Sequence, residues 1–178
     1  GMSIKTRKVS DVIGVEVTGI DMSRPLAESE RAEVNRLLAE HAVLVFPGQK
    51  LDPPQFMAAI ENFGPLMSQQ HEKFTLPDYP MVGFNSTRDL PRKNGKLQVR
   101  GENYHTDHSN YVAPPKATSL FALEIPSHGG DTQFVDVRRA FDELDEATKA
   151  AAIKRSSLHV HQSCRSPREF VQVSEEQL

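Results

Sequence analysis

Asn103-Tyr104-His105-Thr106-Asp107-His108-Ser109-Asn110 is the stretch from which the rest of the chain is best read. Within it, His105 and Asp107 stand two residues apart. Side chains at i and i+2 of an extended segment leave the backbone on the same side, so an imidazole nitrogen and a carboxylate oxygen can face one ion while Thr106 faces away. A neutral imidazole beside a hard carboxylate suits Fe(II), Mn(II) or Zn(II) better than a thiolate-seeking metal. It is two thirds of the two-histidine, one-carboxylate iron site that leaves positions open for oxygen and substrate. Taken bare, such a pair is more often a surface histidine beside a turn aspartate, so its neighbours have to decide.

Length and composition narrow the choices. At 178 residues the chain has room for one domain with a real core. Hydrophobic residues at 38% and charged residues at 25%, with nine Phe, match a soluble globular protein and exclude a disordered one. Net charge is −3 and the 21 basic residues are scattered, so the basic face of a nucleic-acid binder is missing. The basic stretch from Arg88 to Arg100 is broken by Pro91 and Gly95 and reads as a loop. No apolar run approaches the about 20 residues of a membrane span. The N-terminus lacks the charged-then-apolar order of a signal peptide, which makes the cytoplasm the expected location. The single Cys164 excludes an internal disulfide and has no recognisable activating base, so it reads as an inert thiol of a reducing compartment. Gly1 ahead of Met2 reads as the remnant of a cleaved tag and is set apart from the fold.

Periodicity predicts a mixed pattern without repeats. Val12 to Ile20 alternates polar and apolar residues around Gly14 and Gly19, as a strand or hairpin does. Ser29 to His41 carries Ala32, Val34, Leu37 and Leu38 at helical spacing with charges between them. Ala42 to Phe46 is a short apolar run ended by Pro47-Gly48, which predicts a buried strand. Asp52-Pro53-Pro54-Gln55 predicts a helix start, with a capping aspartate, proline at the first helical position and glutamine at the third, and Gly64-Pro65 predicts its end. Strands are predicted at Met81 to Phe84, Ala117 to Glu124 and Asp131 to Val137. Short helices are predicted near Val137 to Leu144 and Glu146 to Ile153, with an extended segment from Ser157 to His161 and the opening of another helix at Val173 to Leu178. Early helices followed by short strands suggest an α+β arrangement built around a β-sandwich or jelly roll.

Several segments then align with one known pattern. Tyr104-His105-Thr106-Asp107 is followed by Pro114-Pro115, the predicted strand Ser119 to Glu124, Pro126 and Gly129-Gly130-Asp131-Thr132. Before it come Gly19-Ile20-Asp21 with Pro25-Leu26, then Val43-Leu44-Val45-Phe46, then Phe63-Gly64-Pro65-Leu66. In this order the chain resembles the taurine/2,4-dichlorophenoxyacetate dioxygenase family of Fe(II)- and 2-oxoglutarate-dependent oxygenases, over nearly its whole length. The resemblance implies a double-stranded β-helix, or jelly roll, with flanking helices, formed by residues 1–178 as the N-terminal part of one such domain. It implies His105 and Asp107 as two of three iron ligands and Thr132 as the hydroxyl that bonds a 2-oxoglutarate carboxylate; the two glycines before Thr132 permit the tight turn such a donor needs. His71, Gly101 and Asn103 fall among the substrate-contacting positions. Gly101 stands where the taurine-specific member has an asparagine and cannot make that contact, which argues against taurine itself.

The implied activity is oxidation of a small acidic organic substrate by O2, Fe(II) and 2-oxoglutarate, with succinate and CO2 as co-products. The family's distal histidine and its carboxylate-binding arginine are expected beyond Leu178, since His159 and His161 match a strand segment and His108 and His128 have no counterpart. A jelly roll in this state would leave apolar faces and strand edges uncovered, so self-association into a homo-oligomer is expected, with a small-molecule substrate and neither nucleic acid nor membrane as partner. Two alternatives stay open: an inactive fragment serving as an interaction module, and a cupin-like protein using the same residues for another metal.

Overall fold

Val15 and Val17 alternate with Glu16 and Thr18, and this two-residue period makes the middle strand of the larger sheet, with both valines buried and Thr18 exposed. The structure, a computed structural model, describes residues 3–68, 74–88, 92–97, 101 and 103–160. His71, His161, Cys164 and the helix expected from Val173 lie outside the described residues. The chain falls into two compact units, residues up to 102 with 119–136, and 103–118 with 137 onward.

In the first unit, β1 (Lys5–Lys8) pairs antiparallel with β2 (Val15–Thr18), setting Lys5 opposite Thr18 and Lys8 opposite Val15. β3 (Leu44–Val45) joins the other side of β2 in parallel, Val15 opposite Leu44. Of the strand or hairpin expected over 12–20, the strand forms as β2, and its antiparallel partner comes from further upstream, where the run Lys-Thr-Arg-Lys carries no apolar signal. β1 is exposed throughout because it is an edge, and its charged side chains suit an edge. The expected buried strand at 42–46 shrinks to two paired residues, with Val45 exposed. Ala42, at φ 64°, ends the preceding helix, and the chain must turn there before it can extend.

Helix α1 (Glu28–His41) packs Val34 and Leu37 against β2 and the loop that follows it, completing a core with Val15, Val17, Ile20 and Ala59. Its N-cap is Ala27, which has no side-chain acceptor, so only half of a capping box forms: Glu30 reaches back to accept the Ala27 N–H at 2.9 Å. The Arg24 guanidinium binds the same carboxylate, and together they hold Glu30 at about 2, well below the ordinary carboxylate range. Helix α2 (Pro53–Glu61) starts as predicted, Asp52 accepting from the Gln55 N–H at 2.8 Å and Gln55 accepting from the Asp52 N–H at 2.9 Å. Gln49 was not foreseen. Its side-chain amide accepts from the Met22 N–H and donates to the Ile20 carbonyl, satisfying two backbone groups of a half-buried loop. β4 (Thr75–Leu76) and β5 (Tyr79–Gly83) form a separate hairpin closed by an edge-to-face contact of Phe74 and Phe84.

The strands expected at 117–124 and 131–137 do not form, and neither does one over 157–160. Leu120, Leu123, Ile125, Phe134 and Val135 are exposed. Alternation marks a segment that would bury one face, but a strand also needs a neighbour for its backbone, and none pairs with these among the described residues. Among the described residues, Phe121 packs against Phe56 of α2 with the rings tilted, and Glu124 pairs with Arg88. The α+β character stands, whereas a jelly roll is not formed among the described residues.

The second unit carries α3 (Val137–Asp142) and α4 (Glu146–Ile153), both where periodicity placed them. Asp145 caps α4 by accepting from the N–H and hydroxyl of Thr148, which also lowers the Asp145 pKa. Among the described residues no helix is long and apolar enough to cross a membrane.

Candidate metal centre

The His105–Asp107 segment belongs to the second unit. Residues 104–106 are in no regular element, and the chain turns over 107–110, with the Tyr111 N–H donating to the His108 carbonyl at 3.1 Å. His108 takes up φ 52°, and its ring packs edge-on to Tyr111 at 5.1 Å. The side chain after the carboxylate is thereby occupied by an aromatic contact.

Nδ1 of His105 lies 2.7 Å from the Asn103 carbonyl oxygen, which can only accept, so Nδ1 is the donor there. Nε2 faces Oδ1 of Asp107 at 3.1 Å. A proton on Nε2 would bridge the two atoms, and a divalent cation would take that proton's place. Two ligand atoms in neighbouring octahedral positions, each with a bond of about 2.1 Å, would be about 3.0 Å apart. The pair therefore already has the spacing of two adjacent metal ligands, and a backbone carbonyl on the far nitrogen is the usual support of a ligating imidazole. The second oxygen of Asp107 is engaged elsewhere, accepting from the Thr118 hydroxyl at 2.8 Å. Both side chains are open to solvent, 57% for His105 and 41% for Asp107. Among the described residues no group of three histidine, cysteine, aspartate or glutamate side chains gathers, so His105 and Asp107 stand there as a pair.

Other expected site residues are placed as follows. Asn103 is exposed and lends its carbonyl to His105. Gly101, in the first unit, sits in a turn at φ 73°. Thr132, also in the first unit, is exposed and follows two glycines that both adopt φ 72°. His159 bonds the Ser109 hydroxyl at 3.0 Å, so the segment after α4 is tied to the turn that carries Asp107. Thr118 and Ser109 were missed by sequence reasoning. A threonine at the start of an alternating run carries no signal of its own, and only the folded chain shows what its hydroxyl meets.

A model of the taurine catabolism dioxygenase TauD, TfdA family matches residues 5–176. The chain belongs to this TauD/TfdA family. It is 30% identical over 153 residues to an alpha-ketoglutarate-dependent 2,4-dichlorophenoxyacetate dioxygenase of Cupriavidus pinatubonensis, covering 80% of this chain and 53% of that protein. It is 31% identical over 166 residues to an (S)-phenoxypropionate/alpha-ketoglutarate dioxygenase of Sphingobium herbicidovorans, covering 84% and 52%. Among solved structures, a taurine dioxygenase from Burkholderia xenovorans superposes with a TM-score of 0.71 at 29% identity, over 85% of this chain and 51% of that one. AAD-2, solved in complex with Mn(II) and N-oxalylglycine, superposes with a TM-score of 0.58 at 26% identity, over 84% and 49%. The chain spans about half the length of the curated relatives it matches. TauD/TfdA membership is what the motif order implied.

Proposed function

We propose that this chain is the N-terminal part of a single TauD/TfdA-type domain that uses Fe(II), O2 and 2-oxoglutarate to hydroxylate a small acidic organic substrate, releasing succinate and CO2. The observation that carries the reading is Nε2 of His105 set 3.1 Å from Oδ1 of Asp107, with its other nitrogen held by the Asn103 carbonyl. Iron bound there supplies the redox chemistry that couples oxidation of 2-oxoglutarate to oxidation of a substrate C–H bond. His105 and Asp107 hold two adjacent coordination positions. The Thr132 hydroxyl donates to a 2-oxoglutarate carboxylate. A third ligand and an arginine for the same co-substrate would complete the site.

His71 and Asn103 are proposed to contact the substrate, and Gly101 leaves room where a side chain would otherwise reach in. Acidity of the substrate is supported by the relatives named for 2,4-dichlorophenoxyacetate and phenoxypropionate. The exposed apolar segments around Leu123 and Phe134 form no strands in this chain and would become jelly-roll strands only against a partner, which favours a homo-oligomer when the chain is alone. Sedimentation at increasing concentration tests this, and a strict monomer at high concentration refutes it.

The test of function is anaerobic addition of Fe(II) and then 2-oxoglutarate. A visible charge-transfer band, followed by succinate release on admitting O2, is the expected result. Iron binding without a 2-oxoglutarate response, or zinc bound far more tightly than iron, would overturn the reading in favour of another metal chemistry. No metal affinity would leave an interaction module.

A further inference from the structure

We propose that Thr118 is a positioning residue that holds Asp107 to coordination through one oxygen. The proposal rests on reading His105 and Asp107 as ligands of a divalent cation. An ionised carboxylate offers two oxygens and about four lone-pair sites, and nothing intrinsic to aspartate decides which of them a cation takes. Here the choice is made by a hydroxyl eleven residues later. Thr118 donates to Oδ2 at 2.8 Å while Oδ1 faces Nε2 of His105. A hydrogen bond to a charged acceptor is among the stronger kinds, and this one leaves Oδ1 as the oxygen on the histidine side.

The intervening backbone supports the role. Pro114 and Pro115 fix φ at two consecutive positions and restrict the residue before them, so the return from Asp107 to Thr118 is stiffer than its length suggests. The chemical benefit concerns coordination number. A carboxylate bound through both oxygens takes two positions of an octahedral ion, and one of the open positions that oxygen and substrate require would be lost. With Oδ2 committed to Thr118, Asp107 takes one.

Two measurements test this, one of them free of metal. In the metal-free protein, three-bond couplings about the Asp107 Cα–Cβ bond should report one rotamer in the wild type and in Thr118→Ser, and an averaged distribution in Thr118→Val. With Mn(II) alone, monitored by loss of the free-ion EPR spectrum, Thr118→Val should weaken binding by about tenfold, the lower end of what such supporting partners contribute. Thr118→Ser, which keeps the hydroxyl, should stay within about threefold of the wild type. Thr118 is exposed, so neither variant should disturb folding, and far-UV circular dichroism checks this. An unchanged Asp107 rotamer distribution in Thr118→Val overturns the proposal, and so does unchanged Mn(II) affinity in a wild type that binds the ion. If the wild type takes up no Mn(II) while Thr118→Val still releases the rotamer, the positioning role stands and the metal reading of His105 and Asp107 falls.

Discussion

Replacing Asp107 by asparagine keeps the size and shape of the side chain and removes its charge. A carboxylate oxygen and a divalent ion at about 2.1 Å attract by about 4 kcal/mol even at the dielectric constant of water, from Coulomb's law with charges of one and two. The site is half open, so water sets the appropriate lower scale for the attraction, and partial desolvation of the ion offsets some of it. At about 1.4 kcal/mol per factor of ten, the loss in Mn(II) affinity should be about a hundredfold or more. Titration of the apo chain with Mn(II), followed by EPR and calorimetry, measures both variants in one buffer. Affinity within about threefold of the wild type would refute the reasoning, because the carboxylate would then not be a ligand.

The remaining predictions concern the frame that carries the site. Leu37→Ala truncates a side chain only 2% exposed in the core of the first unit, and should cost about 3 kcal/mol, seen as a fall of about 1.5 M in the urea midpoint; a fall below about 0.5 M would mean that the core collapses around the gap. Gly19→Ala and Gly48→Ala should separate two penalties, since both residues have positive φ but only Gly19 would bring a Cβ against backbone, 2.1 Å from the Ser3 carbonyl oxygen. Gly48→Ala should cost about 1 kcal/mol from conformation alone and Gly19→Ala clearly more, and equal thermal midpoints would contradict the clash. Glu30 is held at about 2 against an ordinary 4.5, first by its hydrogen bond from Arg24 and then by the Ala27 N–H. A depressed carboxylate contributes stability that is present above 4.5 and lost as the pH falls toward 2, so the wild type should lose stability through that window and Glu30→Gln should lose less. Parallel urea midpoints for the two proteins across this range would show that Glu30 is not the group titrating.

Much of the first unit was legible in advance because its signals are local. The spacing of Val34 and Leu37 defines α1, and Asp52 with Gln55 defines the start of α2 to the residue, because capping groups act within one turn of themselves. The same holds for α3 and α4. Illegible were the features that depend on what lies opposite. β1 has no apolar pattern because it is an edge, and Gln49 closes two backbone groups nearly thirty residues away. The alternation of 117–124 correctly marks a face that wants burial, but pairing is a property of two segments, and those residues stay exposed.

At the candidate centre the division is equally physical. Residue types and order alone determined the family, the α+β class and the nomination of His105 and Asp107, since these depend on which groups stand where along the chain. Tertiary structure decided that Nε2 and Oδ1 face each other at ligand spacing, that Nδ1 meets the Asn103 carbonyl, and that Thr118 claims the other oxygen of Asp107. Ring orientation and oxygen choice are set by hydrogen-bond partners, and a hydrogen bond across a turn exists only once the backbone has brought its two ends within 3 Å.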